Sequence, residues 1–282
     1  INNGGINNLL KRLISVSFEC YVILTIYFIY YKKKNFSFKV YTFLSIFAIV
    51  VFSVLSGSKG AFITFGLAFF IFALYSIRWG DFSLFYKIKK FTLKFGLIAV
   101  ILAIIVILFS EKTSNPFEFL LLRIAMTGDV YYMAYPNNVI DTIPSGNWFI
   151  SLFASPLSLI GLIPRSMIPY PMGFSLMEFH NPFVKFKGPN ARMNIFSYVY
   201  FGIFFSPIYC FIIGAVTSFY RNKLFYLLPS NILGCILYFL FLKAALRLEP
   251  DFHSSLAEFL NYLIILPFFI ILSYFLSLKH KS

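Results

Sequence analysis

The chain has 282 residues, of which 60% are hydrophobic, 21% aromatic and only 12% charged. Soluble domains average about 45–50% apolar and about 25% charged residues, so repeated apolar runs of roughly 18 residues or more read as an all-α integral membrane protein. The runs are continuous and not alternating, which excludes a transmembrane β-barrel. The net charge of +14 is read as topogenic Lys and Arg in short loops, with no nucleic-acid partner.

The first residue is Ile, and residues 1–8 are polar and rich in Asn and Gly. Residues 1–12 therefore read as the end of an outer loop of a longer chain. Residues 13–110 are expected to hold four transmembrane helices, near 13–31, 38–55, 60–77 and 95–109. The last is short for the ~20 residues a span needs, so its start is set between 91 and 95. Residues 111–195 form one long loop. Residues 196–278 hold three more helices, near 196–219, 224–242 and 256–278, and 279–282 is a tail. Cys20, Cys210 and Cys235 sit within apolar runs and read as buried small hydrophobes, with no disulfide or metal spacing.

The short loops set the orientation. Lys32, Lys33, Lys34 and Lys39 follow the first span; Arg78, Lys87, Lys89, Lys90 and Lys94 follow the third. Arg221 and Lys223 follow the fifth, and Lys279 and Lys281 follow the seventh. Under alternation all four loops fall on one side, the cytoplasmic one. The long loop is then periplasmic, with the 56–59 turn and the 243–255 loop on the same face. Lysines dominate inside, whereas Arg12, Arg123, Arg165, Arg192 and Arg247 fall outside, which suggests fork-shaped recognition of phosphate or carboxylate.

Within the long loop, 117–126 reads as an amphipathic helix started by Asn115-Pro116. The run 148–163 is apolar, too short to span and interrupted by Pro156, so it reads as an interfacial or re-entrant segment. Pro164, Pro169, Pro171 and Pro182 interrupt the chain after it. The loop is thus a folded cap lying on the membrane. Its arginines Arg123, Arg165 and Arg192 are candidates to converge on one pyrophosphate; the plain alternative is a solvated loop with incidental ion pairs.

Two other outer turns carry candidates. Lys59 lies between Gly57 and Gly60, where a phosphate can approach the backbone and the following helix dipole; the alternative is a snorkelling lysine. The last outer loop brings together Arg247, Glu249, Asp251 and His253. They read either as helix caps and ion pairs or as a general base with its orienting group. His180 and Glu178 compete for that role, and the spacing matches no zinc motif.

The Ser56-Gly57-Ser58-Lys59-Gly60 turn, the long outer loop with its arginines, and Gly188-Pro189-Asn190-Ala191-Arg192-Met193-Asn194 leading into Tyr198-Val199-Tyr200-Phe201-Gly202 together resemble the Wzy-type O-antigen polymerases and the related O-antigen ligases. The resemblance implies a membrane glycosyltransferase fold of about a dozen spans, of which these would be the last seven. Lys59 stands where an Arg is usual, keeping charge but losing the bidentate fork. Ligases place His-Asn just before the span after the loop; here that position reads Pro189-Asn190, while His180-Asn181 lies upstream, which favours a polymerase. The implied reaction joins repeat units on undecaprenyl pyrophosphate at the periplasmic face of the bacterial inner membrane. Its implied catalytic residues are Arg192, Arg165, Arg123, His180 and Asp251. Lys59, Arg247, Asn190 and Lys187 are implied to bind pyrophosphate or glycan. No metal or other cofactor is implied; the partners are the lipid-linked glycan, the bilayer and a chain-length regulator protein. A ligase-type transferase and a multipass transporter are the alternatives. A transporter normally carries ionisable groups near the bilayer midplane, and here Glu19 is a rare instance.

Overall fold

A computed structural model describes residues 4–31, 36–55, 61–87, 129–183 and 188–278, with isolated positions between 90 and 121. Among the described residues every regular element is helical. The expected span at 95–109 and the amphipathic helix at 117–126 fall mostly outside them. The chain divides into two compact units: Ile1–Leu122 with Leu224–Lys243, and Arg123–Lys223 with Ala244–Ser282.

The first unit holds α1 (Gly4–Tyr31), α2 (Phe36–Leu55) and α3 (Ala61–Arg78), with α1 packed on both of the others. The helix begins at Gly4, so most of the tail expected as loop is the first turns of α1. α3 ends in a Schellman closure: Gly80 takes φ +82, its N–H donates to Ile77, and the Asp81 N–H donates to Ser76 at 2.9 Å. Trp79 then lies edge-on to Tyr27, Tyr31, Phe72 and Tyr75. Arg78 stacks on the Tyr75 and Phe225 rings and donates to the Phe225 and Leu228 carbonyls. It thereby closes the C-terminus of the short helix α8 (Leu224–Leu227).

The sequence places the start of the sixth span at 224. Instead the chain breaks at 228–231, where Asn231 accepts the Gly234 N–H at 2.9 Å and caps α9 (Ile232–Leu246). Pro229 is the cause: it has no N–H to donate and ends the preceding turn. Arg221 and Lys223 therefore sit in a π turn, Phe219–Lys223, and not in a loop. Inside this unit Glu19 of α1 pairs with Lys243 of α9 at 2.5 Å, with side chains only 10% and 15% exposed.

The second unit contains α4 (Asp129–Ala134), α5 (Trp148–Leu159), α6 (Met172–His180), α7 (Arg192–Ser218) and α10 (Phe252–Leu278). Asn137 and Asn138 both take left-handed backbone after α4, which Asn tolerates better than most residues. The turn they make puts Val139 and Ile140 into a core with Val130, Leu152, Leu176, Ile195 and Phe196. α5 is capped by Asn147, whose side chain accepts from Phe149 and Ile150 N–H groups. The core of the segment expected to be interfacial or re-entrant is a helix, packed chiefly along α10.

α7 is not the single straight span expected at 196–219. Gly202 adopts φ 67, ψ −178, a region that side chains essentially forbid. Ser197 and Ser206 hydroxyls meet at 2.5 Å, and Phe196 and Phe201 stack beside Tyr209. Nine residues of straight helix would separate the two serines by about 13 Å. The limb 192–201 therefore folds back against 203–218 as a helical hairpin. The second limb continues through the π turn, and 203–223 extends about 31 Å at 1.5 Å per residue, close to the ~30 Å hydrocarbon thickness of a bilayer. Phe204 and Phe211 on it are 84% and 75% exposed, which suits contact with lipid.

Among the described residues two helical stretches are long and apolar enough to cross a membrane, Arg12–Tyr31 and Arg192–Leu227. The second includes the reversal at Gly202, and its limb after that glycine is by itself long enough to cross.

Candidate functional site

The end of the long loop and the turn before α10 meet in one cavity of about 310 Å³ within the second unit. Asn190, Arg192, Glu249, Asp251 and His253 all line it, with Tyr170, Phe174, Phe196, Tyr200, Tyr209 and Phe252 as its aromatic walls. The main chain holds the walls in register. A Cβ on Gly173 would overlap the Pro189 carbonyl oxygen, and one on Gly188 would overlap the Gly173 carbonyl oxygen. Only two glycines allow backbone to lie on backbone so closely.

Three helices begin at the cavity wall: α6 at Met172, α7 at Arg192 and α10 at Phe252. Neither α6 nor α7 has a side-chain cap. Each helix N-terminus carries a partial positive charge of roughly half a unit, so the two uncapped ends and one guanidinium favour an anion here, while the α10 end already has the Asp251 carboxylate. Glu249 meets part of that demand. Arg192 Nη1 lies 3.0 Å from both of its carboxylate oxygens. The pair is partly exposed, at 24% and 41%, so its own contribution is about 1 kcal/mol or less. Arg192 itself adopts φ +59, a left-handed backbone that costs a non-glycine residue on the order of 1 kcal/mol or more.

Asp251 acts as the cap of α10, accepting the Ser254 N–H at 3.1 Å. That carboxylate is thus a helix cap, the plainer of its two readings, although it still borders the cavity. His253 is two residues further on. Burial pushes its imidazole below the ordinary 6.5, opposed by the Asp251 carboxylate and by a hydrogen bond to the Leu152 backbone. A neutral ring with one nitrogen engaged on Leu152 leaves its second nitrogen as a base. The Tyr209 hydroxyl is buried with no hydrogen-bond partner among the described residues.

The remaining candidates are arranged otherwise. His180 is exposed, its Nε2 rests 2.8 Å from the Met133 carbonyl oxygen, and it does not line the cavity. Glu178 receives the Tyr170 hydroxyl. Arg247 is tied to Glu258 at 3.1 Å and stands outside the cavity lining. Arg165 begins a 3-10 turn, Arg165–Met167, directly before the lining residue Ile168, but its side chain is not among those described. Lys59, Arg123 and Lys187 fall outside the described residues, and so does the expected convergence of the three arginines. Glu249 as the partner of Arg192 had no sequence signal, because 57 residues separate them.

Cys235 is buried, Cys20 and Cys210 are half-buried, and all three are free. Among the described residues no group of three or more His, Cys, Asp or Glu side chains is arranged to hold a metal ion. Searches of family models, curated proteins and solved structures return no match to this chain.

Proposed function

We propose that this chain is a multipass membrane glycosyltransferase of about seven spans, with its lysine-rich loops cytoplasmic and residues 111–195 on the outer face of a bacterial inner membrane. Its reaction joins oligosaccharide repeat units carried on a polyprenyl pyrophosphate. The observation that carries this reading is the convergence of three helix N-termini and Arg192 on one aromatic-walled cavity. That is a site for a phosphate-like anion joined to a larger, partly apolar body.

In the proposed step the anomeric C–O bond to the pyrophosphate breaks as a new C–O bond forms to an acceptor sugar hydroxyl. The leaving pyrophosphate keeps the electron pair, and its developing charge is met by Arg192 and the helix ends. The acceptor proton passes to the neutral His253 imidazole. Incoming pyrophosphate displaces Glu249 from Arg192. The resemblance to oligosaccharide repeat-unit polymerases supports the same assignment.

The test is turnover of a defined lipid-linked repeat unit by the purified full-length protein. Arg192→Ala is expected to fold and to yield single repeats only; long chains from that variant would overturn the proposal. A second reading, a proton- or ion-coupled transporter, is favoured by the Glu19–Lys243 pair between the apolar helices α1 and α9. Proteoliposomes that move the lipid-linked unit without lengthening it would decide for that reading.

A further inference from the structure

A second cavity, of about 240 Å³, adjoins the first. The two share Pro169, Tyr170, Met172 and Tyr200 as a common wall. Their chemistry differs sharply. The first has a guanidinium, two carboxylates and an imidazole; the second is lined by no Lys, Arg, Asp, Glu or His among the described residues.

Its polar groups are hydroxyls and one amide. Ser151 on α5 is buried at 3% exposure, and Ser175 stands on α6. Asn147 spends its carbonyl oxygen on the cap of α5, so its NH2 is the donor left over. The Tyr170 wall is fixed by the bond from its hydroxyl to Glu178. Aromatic walls with neutral donors and acceptors match a sugar ring, which offers C–H faces to aromatics and hydroxyls to amides. The volume is below the ~300–1,000 Å³ of pockets for drug-sized ligands, so it suits a single ring and excludes a polyprenyl chain.

We propose that this second cavity is the subsite for one uncharged sugar residue of the glycan, seated beside the pyrophosphate cavity and selecting against acidic sugars. The assignment rests on the function proposed above and adds its specificity. An acidic sugar would bury a carboxylate where the lining supplies no cation, at a heavy desolvation penalty.

Saturation-transfer NMR on the full chain in nanodiscs tests it, with the methyl glycosides of glucose, galactose and N-acetylglucosamine, with glucuronate, and with inorganic pyrophosphate as probes. At least one neutral glycoside is expected to bind, and glucuronate is not. Ser151→Leu, which fills the cavity, is expected to abolish glycoside binding and to spare pyrophosphate. Asn147→Asp keeps the helix cap while removing the NH2 donor, and should weaken the glycoside on the order of tenfold even if Ser151→Leu fails to fold. Arg192→Ala should show the opposite pattern, losing pyrophosphate and keeping the glycoside. Glycoside binding that both cavity variants leave intact, glucuronate binding at equal strength, or no neutral glycoside bound would overturn the proposal. Wild-type protein that binds a glycoside but not pyrophosphate would overturn the pyrophosphate reading and leave the sugar subsite standing.

Discussion

The reversal at Gly202 gives the sharpest test of the fold. Ser197 Oγ lies 3.5 Å from Cys210 Sγ. In a straight helix those residues would stand about 20 Å apart along the axis, whereas a disulfide needs Cα atoms within about 7 Å. Ser197→Cys, in a chain whose Cys20 and Cys235 are Ala, should therefore oxidise to an intramolecular disulfide with Cys210. Maleimide-polyethylene-glycol labelling reads the result: the oxidised chain gains no mass tag, and the reduced chain gains two. Adding Gly202→Ala should shift the balance toward a straight helix in two ways. An Ala at φ 67 is strained by about 1–3 kcal/mol where Gly is not, and Ala improves helix propensity by about 1 kcal/mol. Together these make about 2–4 kcal/mol, enough to lower disulfide yield clearly. A chain that takes two tags under oxidising conditions would refute the hairpin. A Gly202→Ala chain that oxidises as readily as its parent would refute the role given to the glycine.

Glu19→Ala should destabilise the detergent-solubilised protein by up to about 3–5 kcal/mol, because it removes the carboxylate that balances Lys243 at a largely buried site. Thermal unfolding should show the double change Glu19→Leu with Lys243→Met to be far milder; equal losses would mean the pair is not buried as described. Gly188→Ala should push the 188–193 strap off α6, costing about 1–3 kcal/mol and also lowering pyrophosphate binding; a variant with unchanged melting would contradict the close backbone contact. His253 adds a pH dependence. Its folded pKa lies below the ordinary 6.5, so the unfolded chain binds the proton more readily. The stability it contributes is intact above about 6.5 and is lost as pH falls through the folded value. His253→Gln should flatten the acid limb of the unfolding curve, and an unchanged limb would count against a buried neutral ring.

The helices were legible where apolar runs ended at strong signals. Asn147 before Trp148 and Asp251 before α10 both became caps, as those residue types favour. The start of the sixth span is misplaced by hydropathy because Leu224–Leu227 is as apolar as the helix after it; Pro229 is the signal that marks the break. The hairpin in α7 is invisible to hydropathy, since both limbs are equally apolar and a reversal leaves the composition unchanged. Gly202 inside such a run is the one hint. At the site, Asn190, Arg192 and Asp251 are legible from their turns. Glu249 and His253 stand out in the same short stretch before α10, yet sequence alone does not rank their roles. Pairing Arg192 with Glu249, and His253 with Leu152, depends on how distant segments pack, which no local pattern encodes. His180 draws attention as a histidine beside an asparagine in a polar loop, and the fold turns it toward Met133 instead.

The pairing of Glu19 with Lys243 also constrains how the protein is made. The two lie 224 positions apart, and chains emerge at about 5–20 residues per second. Glu19 is therefore synthesised about 10–45 seconds before Lys243. For that interval α1 stands without its final lysine contact, and α9 completes the pair only when it arrives. Assembly of the first unit is thus ordered by synthesis itself, and a ribosome stalled before Lys243 would hold α1 without the contact that fixes it to α9.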